Sequence, residues 1–114
     1  MSRDDAYLLD IVIAGKLALS FIEDMPKQAF EQDLKTKSAT LHQLLVMGEA
    51  VKRLSDEFKA KHSAIPFKAI AGTRDKIIHE YHRVDLEIIW EVLSVHIPAL
   101  IRDIEPLIPR KQDP

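Results

Sequence analysis

The chain has 114 residues, enough for one domain with its own hydrophobic core, and its 46% hydrophobic and 30% charged side chains fit a soluble globular protein rather than a disordered one. It contains no cysteine, which excludes disulfides and thiolate metal sites and fits a reducing compartment. A formal net charge of −2 argues against a general polyanion-binding surface, but one phosphate needs only a local cluster of positive groups.

Met1-Ser2-Arg3-Asp4-Asp5 turns acidic before any apolar run, so no signal peptide is expected. Asp10, Lys16 and Glu23 interrupt the longest apolar stretches, so no membrane span is expected either, and the reading is of a cytoplasmic protein. Three glycines and apolar residues at helical spacing predict an all-α domain without internal repeats. In the first helix, from about Asp5 to Asp24, Leu8, Leu9, Ile11, Val12, Ile13, Leu17, Leu19, Phe21 and Ile22 cover more than half of the surface. That breadth predicts burial on two sides, with a second subunit as the candidate for the outer one. Pro26 ends this helix.

Between Pro26 and Lys37, Ala29, Phe30 and Leu34 are expected to form a short turn plugging one end of the core. Ser38 or Thr36 then caps a helix running to about Lys61, with Leu41, Leu44, Leu45, Gly48, Val51, Leu54, Ser55 and Phe58 in one stripe. Gly48 weakens that helix, and the compensation expected is close approach of another one. Glu49, Lys52 and Arg53 read as a charge ladder on a solvated face. After the turn His62-Ser63-Ala64-Ile65, Pro66 opens a fourth helix reaching Tyr81. Asp85 caps a fifth, with Leu86, Ile89, Leu93, Ile97, Leu100 and Ile104 on one face, Trp90 and Ile101 nearby, and a bend expected at Pro98. The tail from Pro106, with Pro109, Arg110, Lys111 and Pro114, is expected to fray. The sum is a single domain built as a four- or five-helix bundle.

The chemistry concentrates between Arg74 and His82, where one arginine, two histidines and a tyrosine fall within nine positions. On a helical wheel Phe67, Ile70, Ala71, Ile78 and Tyr81 share a face, and Arg74 sits near its centre. A guanidinium there requires an anion: a carboxylate that fixes it structurally, or a ligand reaching it through a cleft. The wheel leaves both open. His79 lies about 140° from Arg74, so one straight helix does not set them side by side, whereas Tyr81 lies about 20° from it. An imidazole titrates near neutrality and can move a proton beside a phosphate. His79-Glu80-Tyr81-His82 spaces its histidines three apart rather than four, which argues against a zinc site. His42, His62 and His96 are scattered, and His96 falls on an apolar stripe as an expected core histidine.

Arg74, four residues, His79, one residue and Tyr81 resemble the R-x4-H-x-Y signature of the HEPN ribonucleases, specifically the HepT-like toxins of MNT–HEPN toxin–antitoxin pairs. Three blocks extend the likeness from about Asp10 to Leu107: Gly48 to Leu54, Ile65 to Gly72, and Val84 to Trp90. The resemblance implies a helical HEPN-type homodimer whose two motif copies meet at one cleft, acting as a metal-independent endoribonuclease without a cofactor. It assigns Arg74 to the scissile phosphate, His79 to proton transfer as the ribose 2′-hydroxyl attacks, and Asp75 to a supporting polar role. Tyr81 matches the tyrosine that a cognate MNT nucleotidyltransferase antitoxin modifies with AMP, which would set bulk and negative charge where an RNA phosphate belongs. The chain departs from the family pattern at His42, where arginine is common, at Leu45, where a polar residue is usual, and at Thr73, where methionine is frequent. The lost arginine bears on RNA affinity. Two other readings stand beside the toxin: a catalytically silent helical module that pairs with a nucleotidyltransferase, and a plain bundle with Arg74 in a structural ion pair.

Overall fold

The computed structural model describes residues 2–109. Helix α1 (Arg3–Phe21) begins under a capping box, in which the Ser2 hydroxyl accepts from the Asp5 amide at 3.0 Å and the Asp5 carboxylate accepts from the Ser2 amide at 3.2 Å. One side of it buries Leu8, Ile11, Val12, Ala14 and Ala18. The opposite side is open: Leu9, Ile13 and Leu17 are exposed, so a single chain covers only one of the two faces expected to be buried. The helix stops at Phe21, and Asp24 takes a left-handed φ of 59° before Pro26, a conformation that aspartate tolerates better than most residues.

Helix α2 (Lys27–Gln32) is the expected plug. Phe30 is fully buried and packs on Trp90 with ring centroids 5.3 Å apart, but Leu34 is 73% exposed and belongs to the next helix. That helix, α3 (Leu34–Arg53), starts earlier than its hydroxyls suggested, because the Asp33 carboxylate accepts from the Thr36 amide at 3.0 Å and caps it. It lies between α1 and α5 and buries Thr40, Leu41, Leu44, Met47, Ala50 and Val51.

Helix α3 also ends sooner, at Arg53, where the backbone turns extended through Leu54 and Ser55 before α4 (Asp56–Lys61). Apolar spacing ran these together as one helix. The break comes from a long-range contact: the Ser55 amide and hydroxyl donate to the two Asp4 carboxylate oxygens at 2.8 and 2.6 Å, while the same hydroxyl accepts from the Phe58 amide. The Ser55 hydroxyl and then its amide hold the Asp4 carboxyl below its ordinary range. A depressed carboxylate contributes stability that is complete above the unfolded-state pKa and is lost as pH falls through the folded-state value. Ser55→Ala is therefore expected to cost about 0.5–2 kcal/mol at pH 7, the usual loss for a helix cap, and less at pH 3. Urea unfolding of both proteins at the two pH values measures the difference; an equal loss at both would show that Asp4 is not involved.

Helix α5 (Phe67–His79) packs on α3 and is followed by a 3₁₀ turn, Tyr81–Arg83. As expected, Asp85 caps α6 (Leu86–Glu91), its carboxylate accepting from the Glu87 amide at 2.9 Å. A five-residue π-helical stretch, Val92–His96, joins α6 to α7 (Ile97–Ile104). The irregularity follows from Pro98, which has no amide to donate to the Ser94 carbonyl one turn back. Ile89, Leu93, Ile97, Leu100 and Ile104 still form one buried stripe. Beyond α7 the chain does not fray at once: Glu105–Leu107 form a 3₁₀ turn, and Leu107 and Ile108 pack on the core. Arg110, Lys111 and Pro114 lie outside the described residues. The fold is an all-α bundle, its longer rods being α1, α3, α5 and the composite α6–α7, and none of the described helices is long and apolar enough to cross a membrane.

Candidate active site

Helix α5 buries Phe67, Ile70 and Ile77 against α3, a face rotated toward Ile77 from the one the wheel placed through Ile78. Arg74 belongs to this packed face, and α3 admits it through Gly48. A Cβ built on Gly48 would overlap the Arg74 Cβ and stand 2.6 Å from its Cγ. The two helices therefore touch where the sequence called for close approach, and the stem of Arg74 fills the space that the absent side chain leaves.

The far end of Arg74 is held as well. Its Nη2 donates to the Glu49 carboxylate at 2.9 Å and its Nη1 to the Asp75 carboxylate at 2.8 Å, with 23% of the side chain exposed. The other Glu49 oxygen accepts from Arg53 Nε at 3.1 Å, and Lys52 Nζ stands 3.3 Å from Asp75. Arg53's hydrogen bond, with the charges of Arg74 and Lys52, keeps the Glu49 carboxyl below the ordinary glutamate range, and Arg74 and then Lys52 do the same for Asp75. Both carboxylates are ionised at neutral pH. The ladder Glu49, Lys52 and Arg53 is thus one side of a network between α3 and α5 rather than a separate solvated face.

This network borders an open groove of about 450 Å³, walled by Tyr7 and Asp10 of α1, by Leu45, Val46, Glu49, Ala50 and Arg53 of α3, and by Arg74 and Ile78 of α5. The two alternatives for Arg74 are realised together. It has carboxylate partners, and one of them, Glu49, lines an open groove together with Arg74 itself.

His79 and Tyr81 are not part of that cluster. His79 is the last residue of α5, about 7.5 Å further along the axis than Arg74 at the helical rise, and it is exposed with no hydrogen-bond partner among the described residues. Tyr81 lies beyond the helix end, since Glu80 leaves helical geometry at φ −130°, so the 20° relation to Arg74 does not hold. The tyrosine is exposed and meets the His82 ring edge-on at 5.5 Å. His62 stacks on Phe58 at 4.5 Å. His96, expected in the core, is exposed and stands 3.8 Å from Glu91, because the π-helical stretch turns it off the apolar stripe.

Glu49 is the site residue that the sequence reading passed over. Its signal was present: if Gly48 marks where α5 crosses α3, the neighbouring residue is placed to meet whatever side chain crosses there.

A family model described as "Ribonuclease HepT-like" matches residues 13–107. A Methanocaldococcus jannaschii protein that bears the name "Putative RNase" is 40% identical over 103 residues, covering 90% of this chain and 85% of its own. Another of that name, from Caldanaerobacter subterraneus, is 36% identical over 98% of this chain and all of its own, and the "Probable ribonuclease HepT" of Thermococcus cleftensis is 37% identical over 89% of this chain and 92% of its own. No solved structure matches the sequence significantly. With its helical bundle and its motif in place, the chain belongs to the HepT-like ribonuclease family.

Proposed function

We propose that this chain is a metal-independent endoribonuclease toxin that cuts RNA by 2′-hydroxyl attack and is neutralised when a cognate MNT nucleotidyltransferase transfers AMP to Tyr81. The observation that carries this reading is Arg74, positioned at its stem by Gly48 and at its tip by Glu49 and Asp75 on the wall of an open groove. A permanently charged, preorganised donor fork is what a phosphate gaining negative charge in the transition state requires. In the reaction the ribose 2′-oxygen bonds to phosphorus while the bond from phosphorus to the 5′-oxygen breaks. His79 moves the proton from the attacking hydroxyl or to the leaving oxygen, and Arg74 takes up the charge on the phosphoryl oxygens. Asp75 supports the reaction by holding Arg74.

Arg74 and His79 of one chain do not touch, so the reading includes a homodimer in which two copies of α5 border one cleft. The exposed apolar residues Val46 and Ile78 beside Arg74, and Tyr81 beyond, support such a covering. Tyr81 is also open to a modifying enzyme, and an added nucleotide brings negative charge to a phosphate site.

One observation favours a second reading. Both terminal nitrogens of Arg74 already have carboxylate partners, the feature expected of a plain bundle with Arg74 in a structural ion pair, and a donor fork occupied in this way also suits a silent module that only pairs with the nucleotidyltransferase. Incubating purified protein with RNA and a chelator separates the two. The nuclease cuts, and His79→Ala reduces cutting about 10²–10⁴-fold with an unchanged melting temperature. Absence of cutting, with a stable nucleotidyltransferase complex, selects the silent module. Intact mass after coexpression with that partner reports AMP on Tyr81, and Tyr81→Phe should abolish the gain.

A further inference from the structure

Arg53 sits on α3 one turn after Glu49 and shares that carboxylate with Arg74: Nε of Arg53 donates to one oxygen at 3.1 Å, and Nη2 of Arg74 donates to the other at 2.9 Å. A single glutamate therefore sets two guanidinium groups side by side on one groove wall. They differ in access, with the Arg53 side chain 59% exposed against 23% for Arg74. Across the groove stands Tyr7, and its phenol, ahead of Glu49, shifts the Arg53 guanidinium up from its ordinary value. Leu45 and Val46 supply an apolar floor. An isolated i,i+4 pair would be ordinary surface decoration. Here the glutamate is already committed to Arg74, and the second arginine opens into the same cleft beside an aromatic ring.

We propose that Arg53 and Tyr7 form a second nucleotide subsite, in which the Arg53 fork binds the RNA phosphate next to the scissile one and the Tyr7 ring stacks on its base. The inference rests on the ribonuclease reading and adds the substrate contact outside the R-x4-H-x-Y motif. Arginine grips phosphate through paired donors, and single-stranded bases stack on aromatic rings regardless of sequence. Asp10 also lines the groove, so the charges of Arg53 and Arg74 are balanced by those of Asp10 and Glu49. Binding then depends on placed donors rather than on a net positive field, and Asp10 opposes it.

The test uses a 2′-O-methylated single-stranded hexaribonucleotide, which has no 2′-hydroxyl with which to react, titrated onto the 114-residue chain at several salt concentrations. Arg53→Gln should weaken binding about tenfold and make the slope of log K against log salt shallower by about 0.7, the value for one lost phosphate contact on a single strand. Arg53→Lys should keep the slope, Tyr7→Leu should weaken binding about tenfold or more with the slope unchanged, and Asp10→Asn should tighten it. Melting curves confirm that the variants fold. Unchanged affinity and slope in Arg53→Gln would overturn the subsite, as would a wild type that binds AMP but not the oligonucleotide. Because this probe reports binding alone, a protein that holds it through Arg53 yet cuts no RNA keeps the subsite and loses the nuclease.

Discussion

Arg74→Ala is expected to slow RNA cleavage about 10²–10³-fold, the range for removing one preorganised donor from a developing oxyanion, while the bundle stays folded. Both expectations come from the same geometry. The guanidinium is positioned by groups that border solvent, so its loss leaves Glu49 and Asp75 able to hydrate rather than stranded in a dry interior. A structural ion pair would give the opposite pattern, with a large fall in melting temperature and no specific effect on cutting. Arg74→Lys separates charge from shape. An ammonium keeps the charge but cannot span Glu49 and Asp75 with two parallel donors, so most of the loss should remain. Single-turnover cleavage at saturating RNA, read beside a thermal melt, distinguishes these outcomes. Full cleavage by Arg74→Ala would remove this site from the reaction.

The second large effect belongs to Gly48→Ala. Alanine usually improves a helix relative to glycine, by about 0.8–1.0 kcal/mol, so on propensity alone the variant should be more stable. The added methyl would instead overlap the Arg74 Cβ, an atom bonded directly to the backbone that cannot swing aside as a side-chain tip can. Helices α3 and α5 must part, and overpacking of this kind costs about 1–3 kcal/mol, occasionally more. The net expectation is a destabilised protein, its melting point lower by about 4–8 °C per kcal/mol lost, and cleavage reduced because Arg74 has moved from its carboxylates. A double-mutant cycle isolates the cause. In an Arg74→Gly background the overlapping atoms are gone, so Gly48→Ala should cost little or become favourable. An equal cost in both backgrounds would place the strain elsewhere.

Asp4 and Ser55 illustrate where periodicity fails. The apolar stripe from Leu41 to Phe58 continues across the junction of α3 and α4, yet the chain breaks there because a carboxylate fifty-one residues earlier captures both polar groups of Ser55. His96 is a similar case, since Pro98 two residues later changes the helical repeat under it. Tyr81 left its predicted face because α5 ends two residues before it, and His79 gained no partner because one straight helix cannot bend its last residue back to Arg74.

By itself the sequence determined the all-α class, the plug at Phe30, the cap at Asp85, the crossing at Gly48 and the motif that ties the chain to its family. These depend on local backbone preference and on hydrophobic spacing, both written into neighbouring residues. The i,i+4 pairing of Arg53 with Glu49 was legible too, but only the tertiary structure decided that Glu49 also holds Arg74 and that a groove opens along them. The physical reason is that ion-pair partners and cleft walls are chosen by how two helices cross, and a crossing brings together residues whose separation along the chain carries no signal of their meeting.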